Sequence, residues 1–186
     1  MFRIIALLMA LTVISSCATT EDAQSISYYL LDPVPAESQR QLTAESVQLL
    51  PIDLPDYLRQ NRLVIRKQDN QIQQANYHSW ADSLSASIRR VLINDLNGRS
   101  SDFSFVADCR SCQSMRIAID HFYPTEAGRV VLSGLLEIEV DEQSTYREQF
   151  FFSNELRRDG FDNSVGQMRE LLEELGELSY DRLSEI

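Results

Sequence analysis

The amino-acid sequence predicts a single α+β domain in which a mainly antiparallel sheet packs against two amphipathic helices. Apolar residues alternate along several short segments, as they do in strands with one buried face. In two longer segments they recur at steps of three and four residues, as they do in helices with one buried stripe. The chain has 186 residues, which is within the range of one domain with a real core.

Four strands are predicted in the first half of the chain. Polar Gln68–Gln71 fits a hairpin turn between the last two. The prolines of Asp32–Pro35 end the first strand because proline has no N–H to donate. The four segments are Ile26–Leu31, Ser46–Pro55, a run from Asn61 and a run from Asn70.

The clearest helix of the sequence follows these strands. Ser79 is the predicted N-cap with Asp82 three residues later, and Gly98 is the predicted stop. The predicted apolar stripe, which includes Trp80 as a core residue, is Trp80, Leu84, Ile88, Val91, Leu92 and Leu96.

Strands and one further helix are predicted after residue 100. Two strands cover Phe103–Ala107 and Met115–Tyr123. In a long strand after them, every second residue from Val130 to Val140 lies on one face and the residues between them lie on the other. A strand from Tyr146 pairs with it across a turn at Asp141–Thr145. The last helix begins at about Asn163, and its glycines make it dependent on packing.

The N-terminus has the pattern of a secretory signal that ends at a cysteine. Its apolar run Ile4–Ile14 is shorter than the roughly 20 residues that span a bilayer, and small residues follow it, as at a cleavage site. Ile14-Ser15-Ser16-Cys17 resembles the lipobox of bacterial lipoproteins, which implies lipid on Cys17 and cleavage before it. A plain secretory signal with a coincidental cysteine is the alternative.

Three segments are therefore predicted: signal 1–16, lipidated N-terminus and tether 17–25, and folded domain 26–186. Two or three acyl chains anchor durably, whereas one myristoyl chain holds reversibly. Ala18 stands where an aspartate in enterobacterial lipoproteins favours the inner membrane, so the resemblance implies the outer membrane, facing the periplasm. Residues 18–25 reach at most about 26 Å, so the domain stays close to that membrane.

The net charge of the chain limits the classes of molecule that it is expected to bind. Removal of Arg3 with the signal takes the 17 basic residues to 16 against 28 acidic ones, a net charge of −12. Nucleic acid is therefore not expected as a partner. Anionic headgroups repel such a protein, so membrane attachment is expected to rest on the lipid.

Cys109 and Cys112 form an even pair in a compartment that favours disulfides. A local bridge is the simplest interpretation, and a reduced, unpaired state is the alternative. A thioredoxin-like redox site needs the pair at a helix start after a strand, whereas this pair lies between two strand-like runs. A zinc site would need a second pair of ligands, which the sequence lacks.

No catalytic, metal or cofactor site is predicted. The sequence has no Gly-rich phosphate loop, nucleophile elbow or zinc-binding His-Glu-x-x-His helix. His78 and His121 are far apart in sequence, and strand alternation separates Asp120 from the neighbouring imidazole. The acidic pairs Glu137/Glu139 and Glu173/Glu174 are interpreted as solvated faces.

The segment from Leu54 to Arg66 has two interpretations. Its large apolar side chains either fill the core beneath the sheet or form a contact edge for a partner. In the second interpretation Tyr57 and Leu58 contact a second copy or a partner subunit, and Arg59 and Arg62 form a basic rim.

Several motifs together resemble one family. They are the lipobox, the YYLL strand at Tyr28–Leu31, LPDYL at Leu54–Leu58 with LVIR at Leu63–Arg66, and an amphipathic helix from Trp80-Ala81 to INDL. In order and spacing they resemble the PqiC (paraquat-inducible protein C) family, also called the ABC-type transport auxiliary lipoprotein component. The Cys109/Cys112 pair is not among the matching motifs.

The resemblance implies a non-enzymatic lipoprotein that docks or completes a lipid path at the outer membrane. Its implied partners are the MCE (mammalian cell entry) domain subunits and the permease of a transport system. The implied fold, one α+β domain with two helices, agrees with the prediction from periodicity. The rival functions are an envelope-assembly lipoprotein and a thiol–disulfide redox protein using Cys109 and Cys112.

Overall fold

Eight strands and two α-helices make up the parts of the chain that the computed structural model describes, residues 25–31, 44–141 and 144–186. The lipobox, Cys17 and the tether up to residue 24 lie outside these ranges, as do residues 32–43. The strands are β1 Ser27–Tyr29, β2 Glu45–Leu49, β3 Arg62–Arg66, β4 Ile72–Trp80, β5 Phe103–Val106, β6 Gln113–Pro124, β7 Arg129–Asp141 and β8 Ser144–Glu155, and the helices are α1 Leu84–Arg99 and α2 Phe161–Glu185.

The strands form two sheets, and the predicted α+β class with a mainly antiparallel arrangement is confirmed. One sheet has the order β1-β4-β3 and the other β5-β2-β6-β7-β8. The long β6, β7 and β8 form an antiparallel meander. Strand β2 lies parallel to both β5 and β6. Parallel neighbours need a long connection, and the chain from β2 to β5 supplies it with β3, β4 and α1.

The hairpin between β3 and β4 is confirmed, whereas the second predicted strand is shorter than expected. The Lys67 N–H donates to the Gln71 carbonyl at 2.8 Å around a 3₁₀ turn at Gln68–Asn70. Strand β2 ends at Leu49, and Asp53 makes one isolated bridge to Ala118. The predicted turn at Asp141–Thr145 includes residues 142 and 143, which lie outside the described ranges.

The predicted helix start at Ser79 is wrong, because Ser79 and Trp80 are the last residues of β4. The Trp80 N–H donates to the Asn61 carbonyl at 2.6 Å, and Trp80 is in register with Tyr29. These backbone pairings to two neighbouring strands hold Trp80 in the sheet, and α1 begins at Leu84 instead. Trp80 is a core residue as predicted, with 5% of its surface exposed, but it reaches the core from a strand.

The core is an apolar layer between the helices and the five-stranded sheet. Helix α2 packs on β6, β7 and β8, while α1 packs on β5 and on α2. The inward face of β7 matches the predicted alternation as far as Ile138, and Val140 beyond it is exposed. Fully buried residues of this layer are Ile88, Val91, Leu92, Leu96, Val130, Leu132, Leu136, Ile138, Leu171, Leu172 and Leu175.

Polar side chains join the two helices to each other and to the sheet edge. Arg169 of α2 donates to Asp95 of α1 at 2.7 Å, and both side chains are nearly buried. Burial raises the pKa of Asp95, and the Arg169 guanidinium opposes that shift. Asn97 makes two 2.8 Å bonds with the backbone N–H and carbonyl of Phe105. The side chain of Asn97 therefore pairs with the edge strand β5 as a strand would.

We predict that Gly134→Ala destabilises the domain strongly. A Cβ at Gly134 would overlap the Ala118 carbonyl oxygen and lie 2.9 Å from the Phe150 ring, so β6 and β7 would have to separate. The expected loss is about 3 kcal/mol in the free energy of unfolding, measured by urea denaturation.

Gly166→Ala is the matched control, because a Cβ there meets no atom within 4 Å on α2. It should stabilise the protein by about 0.5 to 1 kcal/mol through helix propensity. Equal unfolding free energies for the wild-type and Gly134→Ala proteins would contradict the close strand contact.

Candidate functional site

The segment with two interpretations forms a turn that fills the core. Asp56–Leu58 is a 3₁₀ helix between β2 and β3, closed by a 2.9 Å bond from the Leu58 N–H to the Pro55 carbonyl. This turn directs Leu58 inward, and Leu54 and Leu58 are only 4% and 2% exposed. Leu58 is therefore a core side chain, as in the first interpretation of this segment.

Tyr57 is half-buried and held at strand β6. Its hydroxyl donates to the Asp120 carbonyl at 2.6 Å and lies 3.3 Å from His121 Nδ1. Burial, followed by the neighbouring Tyr123 and Asp120, raises the pKa of Tyr57, so its hydroxyl stays protonated as a donor. The ladder of β6 shifts register between Ile119 and His121. The local sequence pattern predicts neither this bulge nor the contact between Tyr57 and His121, which are 64 residues apart in the sequence.

The basic rim is at the surface. Arg59 lies 3.3 Å from Asp56, and both side chains are largely exposed, at 63% and 97%. Arg62 begins β3 and is exposed in register with Ser79 of β4. An exposed ion pair of this kind contributes little to stability. Because the side chains of Arg59 and Arg62 are both exposed, their guanidinium groups are accessible to other molecules.

Cys109 and Cys112 lie in the loop between β5 and β6, with their sulfur atoms at bonding distance and their Cα atoms 5.9 Å apart. This Cα separation is typical of disulfides, and the bridge stays a prediction. The loop leads from one strand to another, so no helix N-terminus follows the pair to lower a thiol pKa, as in thioredoxin-like sites.

A shallow groove of about 450 Å³ runs between α1 and this loop, lined by residues that include Pro51, Ala86, Ile93 and Ala107. Of the two arginines in its wall, Arg89 donates to the Leu49 carbonyl at 2.6 and 2.8 Å and also to the Ala107 carbonyl. These bonds cap the ends of β2 and β5, so the Arg89 guanidinium has a structural role. The other arginine, Arg90, lies 3.3 Å from Asp82.

The two histidines are in separate environments. His78 is stacked on Phe161 with ring centroids 3.9 Å apart and is bonded to the Tyr29 hydroxyl at 2.8 Å. His121 contacts Tyr57 at another place in the fold. Within the described ranges, no group of three His, Cys, Asp or Glu side chains could hold a metal ion.

The predicted acidic pairs lie on strand and helix surfaces. Glu137 accepts a 2.6 Å bond from Arg147, and Glu139 accepts one of the same length from Ser114. On α2, Glu173 lies 3.2 Å from Arg169, and Glu174 accepts a 3.0 Å bond from Asn154. Each carboxylate therefore has a partner of its own.

The structure is that of a single-domain α+β protein. Its family is established by comparison with known protein families. The family model for the ABC-type transport auxiliary lipoprotein component matches residues 28–177. The chain belongs to this family, as its motifs predict.

Two solved structures share the fold. A crystal structure of an uncharacterized protein matches with a TM-score of 0.76 and 20% identity, over 86% of this chain and 99% of the other. A Xanthomonas campestris protein assigned to DUF330 matches with a TM-score of 0.64 and 14% identity, over 86% and 100% of the two chains. No curated protein sequence gives a significant match. In the described part of the chain, neither helix is long and apolar enough to span a membrane.

We predict that Leu58→Ala lowers the free energy of unfolding by about 2 to 5 kcal/mol, because it leaves a cavity under the sheet. Tyr57→Phe should cost about 1 kcal/mol, since the hydroxyl loses its bond to the Asp120 carbonyl and its longer contact with His121 while the ring is kept. Thermal and urea unfolding measure both values.

Arg59→Ala is the control from the same turn, and its change should stay within about 0.5 kcal/mol because the side chain is exposed. A Leu58→Ala protein as stable as the wild type would show that Leu58 is not a core residue, and it would support the predicted role of Leu58 in partner binding.

Proposed function

We propose that this protein is a non-enzymatic, lipid-anchored accessory subunit of an MCE-type intermembrane lipid transport system. Membership of the auxiliary lipoprotein family over residues 28–177 carries the proposal. The lipobox residues Ile14–Cys17 support it independently, because they supply the covalent anchor that the family name requires. MCE-domain subunits and a permease are the proposed partners.

The proposed location is the outer membrane, with the folded domain in the periplasm. Residues 1–16 are the proposed signal, 17–25 the lipidated tether and 26–186 the functional domain. Ala18 supports outer-membrane sorting by its resemblance to enterobacterial lipoproteins. Two or more acyl chains on Cys17 would hold the domain durably, and its net acidic charge gives no other general attraction to the membrane.

Arg59 and Arg62 are the proposed contact for a protein partner. Both are exposed basic side chains at one end of the small sheet of an otherwise acidic molecule. An acidic partner, or an acidic part of a second copy of this chain, would be steered towards them at low salt. Tyr57 supports this rim by fastening the turn to β6.

The rival functions draw less support from the geometry. A redox protein would need reactive thiols, whereas Cys109 and Cys112 sit between two strands. An envelope-assembly lipoprotein would have the same anchor and fold. Genes for an MCE subunit and a permease, if found beside the gene for this chain, would favour the transport role over an assembly role.

Cys17→Ser tests the anchor. We expect the variant to lose labelling by a palmitate analogue and to remain uncut or be released into the periplasm, because the sulfur that accepts the diacylglycerol is gone. Cys109→Ser is the control and should be labelled as the wild type is. A Cys17→Ser protein that is still tagged would contradict lipidation at this residue.

Arg59→Glu tests the partner surface. The wild-type lipidated protein should co-purify with an MCE subunit from envelope membranes, and the variant should bind about fivefold more weakly at low salt, or about 1 kcal/mol. Arg110→Glu, an exposed charge reversal in the Cys loop, is the matched control. If both variants weaken binding equally, the effect is due to net charge and the proposed contact at Arg59 is contradicted. If the wild-type protein retains no MCE subunit, the transport role is overturned.

A further inference from the structure

The outward face of the small sheet is apolar, although the chain as a whole is acidic. Ile26, Tyr28, Leu30 and Tyr77 are 48%, 66%, 55% and 45% exposed, and we call these four residues the apolar face. Tyr28 is in register with Ser79, and Ser79 with Arg62. Ile26 and Leu30 flank β1 two positions before and after Tyr28, and Tyr77 is exposed in β4 where its ladder with β3 shifts register.

The opposite side of the same strands is occupied by the protein itself. Tyr29 packs against His78 and Phe161, and Trp80 is buried. The exposure of Tyr28 is therefore not a consequence of a loose strand, because its neighbour Tyr29 is held by a ring contact and a hydrogen bond. The small sheet thus presents one fixed apolar surface outward.

The position of this face in the chain indicates what covers it. The face begins at Ile26, directly after the eight residues 18–25 that follow Cys17. Eight residues extend at most about 26 Å, so acylation of Cys17 brings this face, more than any distant one, close to the bilayer. Phe151, on β8 of the other sheet, is 70% exposed but has no such link to the anchor.

The composition of the face also suits a lipid–water interface. Tyrosine is enriched at the headgroup level because it has an apolar ring and a polar hydroxyl. Ile26 and Leu30 supply apolar surface. None of the positions 26, 28, 30, 77 and 79 is acidic.

We propose that the apolar face docks on the bilayer that holds the acyl chains of Cys17 and fixes the orientation of the domain on the membrane. The contact is superficial, because β1 is an edge strand whose outer backbone groups require water or headgroups. The side chains of Tyr28 and Leu30 enter the interface while the sheet stays above it. This inference rests on the lipid anchor of the proposed function and adds a defined docking surface to it.

Tryptophan placed at the face tests the proposal. Tyr28→Trp and the matched Phe151→Trp are each prepared as the processed, acylated protein in phosphatidylcholine vesicles containing phosphatidylglycerol, with and without brominated phospholipid. Both variants retain Trp80, the one natural tryptophan, as a common background. We expect the added emission of Tyr28→Trp to be blue-shifted and mostly quenched by the brominated lipid, and that of Phe151→Trp to be neither.

Each other result overturns the inference. Blue-shifted emission at position 28 without quenching means that protein, such as a second copy added at the β1 edge, covers the face. Red emission without quenching in an acylated, vesicle-bound protein means that the face is in water, and the transport role is then unaffected. A mass spectrum without acyl groups on Cys17 overturns the anchor and this docking together.

Discussion

The apolar layer between the two helices and the five-stranded sheet is the interaction on which the remaining structure depends. It buries the stripe of α2 against one face of the β6-β7-β8 meander and the stripe of α1 against β5 and α2. Burial of apolar surface at about 25 cal/mol per Å² makes such a layer the main stabilising contribution. The close approach of strands at Gly134 lies within this meander, between β6 and β7.

Polar contacts around this layer determine how the elements are arranged. Asn97 closes the edge of β5, and Arg89 caps the carbonyl ends beside it. The Asp95–Arg169 pair lies where the helices meet, and one oxygen of Asp95 has no hydrogen-bond partner among the described residues. A nearly buried pair of this kind favours one alignment of the helices more than it adds stability. The candidate functional surfaces, the basic rim and the apolar face, therefore lie on the outside of a domain with one defined arrangement.

The sequence predicts the elements better than the contacts between them. The inward face of β7 from Val130 to Ile138 and the apolar stripe of the last helix depend on local burial, and both are confirmed, although Val131 and Ser133 on the other face of β7 are buried as well. Trp80 fits the period of α1 equally well, and only the backbone of Asn61 and Tyr29, distant in sequence, holds it in a strand. Periodicity alone cannot detect that competition.

The candidate surfaces show the same limit. LPDYL contains apolar residues that suit a core or an interface, and the 3₁₀ turn, which no residue type specifies, directs Leu58 inward. The apolar face escapes prediction for a related reason. Ile26 to Leu31 reads as a nearly continuous apolar run, and the outward side is known only when Tyr29 is seen against His78 and Phe161. The resemblance to the family is informative where periodicity is not, because it depends on the order and spacing of motifs over most of the mature chain, and the family model matches residues 28–177.

The short pairing of β1 has a mechanical consequence. Any pull from the N-terminal side reaches the described domain first at this three-residue strand, whose ladder within the described ranges is to β4 alone. A pulling force is opposed first by the few backbone bonds between β1 and β4. Strand β4 is also paired with β3 on its other side, so it stays in the sheet when β1 separates. Tension would therefore peel β1 away and leave the helices and the large sheet intact, so that the attachment lengthens under load without unfolding the domain.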